Sequence, residues 1–360
     1  MEWLRRLWDR LRRDPRMIAL AALGTAAVVG LASEGVVLLA NHRSDAPPRP
    51  AAKPRPSPSP VAHLVTGPLR SPFTGERVKT LNPVLAVKIG NTVAERPAVG
   101  LSDADLVYLI PVEGGLSRIL AVFSSHFPRV IGPVRSARQD DIRLLRQFRR
   151  PAFAFSGAQP ELLPRVENAR VVDLYDGKVG GYFRSSNRAV PYNLFASTRR
   201  LLAESHGASK ARDIGFRFGT PPPGGRPKKS MSVSYPAASF RFTWAKAQGR
   251  WRVWMDGARA ITTEAGQMSA PTVVVQYTKV PTSKYVEQNG RPPYAVTTGS
   301  GRAVVLRDGM AYQAHWSRPS PRDGTTFTTD SGQPMTFARG PVWIVLTDAK
   351  SWRTAYPGMY

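Results

Sequence analysis

The stretch LVYLIPVEGGLSRILAVFSS, residues 106–125, consists of two apolar runs joined by Glu113-Gly114-Gly115. A Gly-Gly pair between two apolar runs is a strong hairpin signal, because glycine tolerates the positive φ angles that a tight turn requires. We therefore predict two buried, paired strands over 106–112 and 116–125, with Glu113 exposed at the turn between them.

The segments around this hairpin mix strand and helix signals. PVLAVKIGN (83–91) and PAFAFSG (151–157) are short apolar runs that predict buried strands. DDIRLLRQFRR (140–150) and NLFASTRRLLAESH (193–206) place apolar residues at helical spacing. The first of these two begins with acids and ends with arginines, as the helix dipole favours. Together these elements predict a mixed α/β domain over residues 68–220.

Residues 231–360 are different in pattern. They contain short β-branched or aromatic runs separated by turn signals, among them Asp256-Gly257 and Asp308-Gly309. No helix is predicted here, so we expect a β-rich domain with a sandwich or barrel-like architecture. The Pro- and Gly-rich residues 221–230 predict an inter-domain linker. The predicted fold class is α+β, with a mixed α/β domain followed by a β-rich domain.

The N-terminal residues predict a membrane anchor. Residues 1–16 contain six arginines, and residues 17–40 form an apolar run in which Glu34 is the sole charged side chain. About 20 apolar residues suffice for a transmembrane helix, and flanking positive charge places that end in the cytoplasm. We predict a cytoplasmic tail (1–16), one transmembrane signal-anchor helix (17–40) and a Pro-rich linker (41–67), with the bulk of the chain extracytoplasmic. A cleaved signal peptide is the alternative.

The chain is strongly basic and lacks cysteine. It carries 51 Lys and Arg against 25 Asp and Glu, a net charge of +26, of which +21 falls on residues 64–360. Such an excess favours an anionic partner, for which we expect lipid headgroups or a phosphate-bearing wall polymer. An arginine-rich composition without a specific partner is the alternative. No nucleic-acid-binding motif is recognisable, and the absence of cysteine excludes disulfides, thiolate metal sites and a cysteine nucleophile.

The candidate ligand-binding residues are Glu113, Arg118, Arg135 and Arg138. Arg135 and Arg138 precede the helix predicted from residue 139, and the planar arginine fork grips phosphate or carboxylate through two hydrogen bonds. A structural network is the alternative interpretation, with Glu113 paired to Arg135 or Arg138 and Asp140 capping the helix.

Signals for catalysis are sparse. The five histidines have no metal-ligand spacing, and neither a G-x-S-x-G elbow nor a phosphate-binding loop occurs, so we predict no metal and no cofactor. An enzyme is less favoured than a binding module. Its general base would be Glu113 or the secondary candidate Asp140.

Long ordered motifs carry a resemblance to a known family. In the N-terminal half they are Arg96-Pro97, the turn 113–115 with Arg118, and IGPVRSAR (131–138). In the C-terminal half they are TVVVQYTKV (272–280), residues 298–327 and PVWIVL (341–346). Both halves resemble the YerB-like bacterial lipoprotein family of unknown function. The resemblance implies an extracytoplasmic, membrane-tethered protein and carries no established activity, and the chain departs from it in having no lipobox cysteine.

The matched C-terminal motif includes His315-Trp316-Ser317-Arg318-Pro319, which makes His315 and Arg318 secondary ligand candidates. From the sequence we predict a membrane-anchored envelope protein that is a binding or scaffolding module for an anionic envelope component. Two alternatives stay open. One is an envelope enzyme acting on a phosphate-bearing wall polymer or lipid-linked substrate, and the other is a purely structural partner protein. The sequence predicts no oligomeric state.

Overall fold

The computed structural model describes residues 67–287 and 290–351. The predicted cytoplasmic tail, anchor helix and almost all of the predicted linker therefore lie outside the described residues. Within the described ranges, no helix combines the length and the apolar character needed to cross a membrane.

The described residues form a mostly β structure with few helices. The strands of the N-terminal half are β1 Leu85–Gly90, β2 Leu106–Pro111, β3 Ser117–Phe123, β4 Val130–Ile131, β5 Ala152–Phe155, β6 Val172–Tyr175, β7 Tyr182–Arg184 and β8 Leu194–Ser197. The α-helices are α1 Gln139–Leu144, α2 Leu163–Glu167 and α3 Thr198–Ala203. Short 3-10 turns occur at Val93–Glu95, Leu101–Asp103, Glu113–Gly115, Leu145–Phe148 and Lys246–Gln248.

The C-terminal half contributes strands almost exclusively. They are β9 Arg226–Pro227, β10 Ser230–Tyr235, β11 Ala238–Ala245, β12 Arg250–Met255, β13 Ala258–Arg259, β14 Ile261–Thr262, β15 Gly266–Gln267, β16 Ser269–Ala270, β17 Thr272–Thr278, β18 Gly299–Arg307, β19 Met310–Arg318, β20 Thr326–Thr329 and β21 Val342–Asp348. The β-rich character predicted for this half is confirmed.

One large sheet organises the molecule. Its order is β20-β19-β18-β17-β21-β2-β3-β1-β5-β6, with β9 paired to the outer side of β19. Strand β21 lies between β17 and β2 and is parallel to both. The segments predicted as two domains thus contribute strands to one sheet and fall in one compact unit. Residues 226–227, inside the predicted linker, are part of this sheet.

Apolar layers cover both faces of the large sheet. A second sheet, β10-β11-β12-β13 with β16 on β12, buries Phe240, Phe242 and Trp251 against one face. The residues of α1 and α2 pack on the opposite face, where Leu144 and Phe153 belong to a separate apolar cluster. The central strands are buried on both faces, which explains why their sequences are continuous apolar runs rather than alternating ones.

The predicted turns are confirmed. Strands β2 and β3 pair antiparallel across the 3-10 turn Glu113–Gly115, where both glycines have positive φ. Asp308-Gly309 joins β18 to β19 with φ of 52° and 73°. Asp tolerates the left-handed region better than most residues, so this pair fits a hairpin with two positive φ angles.

Two helix predictions are wrong in extent. The helix predicted over 140–150 is α1, Gln139–Leu144, continued by a 3-10 turn that ends at Phe148. The helix predicted over 193–206 begins as strand β8 and becomes helical only at Thr198. Strand β8 pairs with β4 and β7, and this tertiary pairing overrides the helical spacing of its apolar residues.

Candidate functional site

Seven strands of the large sheet run in the same direction, so their carboxyl ends share one edge: β1, β2, β5, β6, β17, β19 and β21. The turn at Glu113 follows β2, and the segment 133–137 is hydrogen-bonded to β1 and to the residues after β5. In sheets with parallel strands, side chains at this edge commonly form ligand sites. We call the ionisable side chains gathered here the carboxyl-edge cluster, which comprises Lys88, Glu95, Glu113, Arg118, Arg135, Arg138, Asp140, Asp141 and Glu287.

The central pair of this cluster is Glu113 with Arg138. The Arg138 Nη2 lies 2.5 Å from Glu113 Oε1, and Arg138 Nε donates to Glu113 Oε2 at 2.9 Å. Each residue is 6% exposed. Burial favours the protonated carboxyl, but the hydrogen bonds and charge of Arg138 outweigh it and hold the pKa of Glu113 below its usual value. Of the two partners considered in the alternative interpretation, Arg138 is the one that pairs with Glu113, and Glu113 is buried rather than exposed at its turn.

Arg118 and Arg135 both face a carboxylate that the sequence analysis did not single out. Glu95 is fully buried, with Oε1 2.8 Å from Arg135 Nε and Oε2 3.8 Å from Arg118 Nη1. Its Oε2 also accepts hydrogen bonds from the backbone and side chain of Thr92. Burial lowers the pKa of Arg118, and its Nε has no hydrogen-bond partner in the described part of the chain.

The start of α1 adds a second buried ion pair. Lys88 Nζ donates to Asp141 Oδ1 at 2.8 Å, and both side chains are completely buried. The neighbouring Asp140 is 2% exposed, and its Oδ1 lacks a hydrogen-bond partner among residues 67–287 and 290–351. Burial raises the pKa of Asp140 to about 7, although the charge of Lys88 opposes the shift.

Charges in the carboxyl-edge cluster are close to balanced. Five acids, including Glu287 at 3.7 Å from Arg138 Nε, accompany four bases. Because Glu113 and Arg138 are buried and bound to each other, the arrangement favours the structural network over an open anion pocket. The ligand-binding role of Glu113, Arg118, Arg135 and Arg138 stays a prediction.

Asp140 gives this cluster a pH dependence. Between its ordinary pKa of 3.8 and its folded value of about 7, the folded protein holds a proton that the unfolded chain has lost. The free energy of unfolding should therefore fall by about 1 kcal/mol per pH unit as pH rises through this window. Chemical denaturation from about pH 5 to about pH 8 checks this slope. Asp140→Asn should flatten it, and an unchanged slope in that variant would assign it to another group.

The secondary candidates His315 and Arg318 point to opposite environments. Arg318 is fully buried and donates to Thr297 Oγ1 at 3.0 Å and to the carbonyls of Arg143 and Pro321 at 2.7 Å. Burial lowers its pKa to about 10. His315 is exposed, with Nε2 2.9 Å from Asp330 Oδ1. The structure does not bring these two side chains together at one surface, because the Arg318 guanidinium is buried and hydrogen-bonded to the neighbouring backbone and to Thr297.

A second polar site was missed by the sequence analysis. A cavity of about 550 Å³ is lined by Arg146, Arg149, Arg150, Arg170, Ser209, Arg212, Arg322 and Asp323. We call it the arginine cleft. Its arginines come from four separate parts of the chain, so no local sequence pattern predicts the cleft. The one available signal was the arginine-rich end of the predicted helix at 149–150, which we had explained by the helix dipole alone.

The arginines of this cleft far outnumber its acids, since Asp323 is the single acidic residue in the lining. Within the described ranges, none of the six has a carboxylate within salt-bridge distance. Burial, then the charges of Arg322 and Arg170, lower the pKa of Arg146. Arg149, which follows the 3-10 turn Leu145–Phe148, has a φ of 67°, a value that is uncommon for residues other than glycine. The cleft therefore concentrates positive charge that the protein does not neutralise.

Comparison with known proteins identifies the family. The N-terminal domain of "Protein of unknown function (DUF3048)" matches residues 72–212, and the C-terminal domain of the same family matches residues 231–344. The chain belongs to this YerB-like family. It is 25% identical over 294 residues to "Putative lipoprotein YerB" of Bacillus subtilis (strain 168), which covers 77% of this chain and 85% of that protein.

A solved structure of the same family shares the fold. The crystal structure of the YerB protein from Bacillus subtilis aligns with a TM-score of 0.66 at 22% identity, covering 79% of this chain and 98% of that one. The resemblance predicted from the ordered motifs is confirmed. The two family domains contribute strands to the single large sheet described above.

Proposed function

We propose that this protein is a membrane-anchored, extracytoplasmic envelope protein that binds an anionic envelope component through the arginine cleft. The observation that carries the proposal is the cleft itself, in which six arginines and one aspartate surround about 550 Å³. A guanidinium presents five N–H donors in a planar fork that fits phosphate or carboxylate, so an anion can meet several such forks at once.

The location rests on two observations. Residues 17–40 are apolar and follow six arginines, the pattern of a single transmembrane helix with a cytoplasmic N-terminus. The Bacillus subtilis relative is named "Putative lipoprotein YerB". A lipoprotein is held at a membrane by a covalently attached lipid rather than by a transmembrane helix. This chain has no cysteine that could carry such a lipid, and we propose that residues 17–40 provide the attachment instead.

The carboxyl-edge cluster has a different role in this proposal. Glu113 and Asp140, the residues that an enzyme would use as general base, are 6% and 2% exposed. Glu113 is also engaged with Arg138. We therefore place the ligand in the arginine cleft and assign the cluster to holding the sheet edge, and a binding protein is favoured over an enzyme.

Tripolyphosphate is a suitable probe of the cleft. We expect calorimetric titration of the full-length protein in non-ionic detergent to show binding that weakens as salt is added. Arg146→Ala, Arg170→Ala and Arg322→Ala should each weaken binding about tenfold, the cost of about 1.4 kcal/mol for a charge-assisted hydrogen bond. Arg252→Ala on β12, whose side chain contacts Gln248 at the surface, is the matched control. Equal affinity in all four variants would overturn the proposal.

A further inference from the structure

We propose that the ligand is a linear polymer with phosphate groups repeated along its chain, which continues from the arginine cleft into a second basic cavity. This inference rests on the proposed function and specifies its ligand. The second cavity has a volume of about 300 Å³, and its lining combines apolar residues, among them Phe216 and Phe218, with the charged residues Arg70, Asp213, Arg217 and Arg339. We call it the Arg339 cavity.

The two cavities adjoin along the chain. Arg212 lines the arginine cleft and Asp213, the next residue, lines the Arg339 cavity. Consecutive Cα atoms are about 3.8 Å apart, so one short segment contributes lining residues to both cavities. That segment is fixed by backbone hydrogen bonds from Ala211 to Asn82 and from Phe337 to Arg217. These hydrogen bonds hold in place the segment that contributes lining residues to both cavities.

Charge in the cleft exceeds what a single phosphate can neutralise. Six arginines and one aspartate leave a net charge of +5 on the lining residues. One phosphate group supplies at most about two negative charges. A ligand with several phosphates would neutralise more of the lining than a single phosphate can, and a polymer carries such groups at regular spacing along its chain.

The Arg339 cavity extends the same chemistry. Arg217 is neutralised by Asp213, with Arg217 Nη1 3.0 Å from Asp213 Oδ1. Arg70 donates to the carbonyl of Gly75 and has no acidic partner among the described residues, and Arg339 has none there either. Two exposed arginines are therefore available beyond the cleft. A chain that reaches them gains contacts that a short anion in the cleft cannot make.

The test compares tripolyphosphate with long-chain polyphosphate on the full-length protein in non-ionic detergent. Long chains should bind about tenfold tighter, with a steeper dependence of affinity on salt because more phosphates are neutralised. The double variant Arg70→Ala/Arg339→Ala should remove most of this advantage and leave tripolyphosphate affinity unchanged. Arg252→Ala should alter neither affinity.

The failures of the two proposals are distinguishable. If Arg146→Ala and Arg322→Ala leave tripolyphosphate binding intact, the cleft is not an anion site and both proposals fall. If they weaken it but Arg70→Ala/Arg339→Ala leaves long-chain affinity unchanged, the polymer inference alone is overturned. Phosphatidylglycerol vesicles form a third arm. Vesicle binding as tight as that of polyphosphate, with the same loss in the double variant, would assign the surface to a membrane and reject the polymer.

Discussion

Arg138→Met should destabilise the protein by about 3–5 kcal/mol, because it leaves the Glu113 carboxylate buried without its partner. Two hydrogen bonds currently join these residues at 2.5 and 2.9 Å. The variant also removes the donors to the carbonyls of Ser136 and Ala137. Urea denaturation of the full-length chain, followed by the fluorescence of buried tryptophans such as Trp251, measures the loss.

A second variant separates the buried charge from lost packing. Glu113→Leu/Arg138→Met contains neither charge and should regain most of the stability lost by Arg138→Met alone. The matched control is Arg217→Met at the Arg217–Asp213 pair, where both side chains are more than half exposed. Such pairs contribute about 1 kcal/mol or less. If Arg138→Met lowers the free energy of unfolding no more than this control does, the carboxyl-edge cluster does not stabilise the fold as argued.

Lys88→Met should have an effect of similar size, again about 3–5 kcal/mol. Lys88 lies on β1, an interior strand of the large sheet, and its ammonium is 2.8 Å from Asp141 Oδ1 with both groups completely buried. Methionine fills most of the same volume but leaves the buried carboxyl group of Asp141 without its counter-charge. Thermal unfolding and urea denaturation of the variant and the parent measure the difference.

The double variant Lys88→Met/Asp141→Asn provides the control. Asparagine still accepts the hydrogen bond from the Arg138 backbone N–H, now received by Asp141 Oδ2, and it carries no charge. We expect the double variant to be more stable than Lys88→Met alone. A double variant less stable than the single one would show that the loss in Lys88→Met does not come from an unpaired charge on Asp141.

Local sequence determined the parts of the fold that were predicted well. The turn at 113–115 and the Asp308-Gly309 turn depend on the φ preferences of their own residues, so the local sequence was enough to predict them. Strand β8 was not, because Leu194 and Phe195 are spaced to share a helix face with Leu201, and only pairing with β4 and β7 makes the segment a strand. Strand order in the large sheet is likewise a property of distant segments.

The candidate site shows the same division. The opposite charges of Glu113 and Arg138 made an ion pair between them predictable, as one of two interpretations. Their neighbour Lys88 was overlooked, although a single charge inside the apolar run PVLAVKIGN signals a buried partner. The arginine cleft offered no comparable signal, because Arg146, Arg170 and Arg322 are far apart in sequence and meet only through the tertiary structure.

The position of β21 has a consequence for how the protein matures. Because residues 342–348 occupy the slot between β17 and β2, the sheet lacks a central member until nearly the whole chain has been synthesised. A nascent polypeptide leaving the ribosome would expose the unpaired backbone of both neighbours and could not lock into its final form. The export that we propose for this chain is compatible with its topology if the chain crosses in an extended state, because folding would then be completed when the last strand arrives.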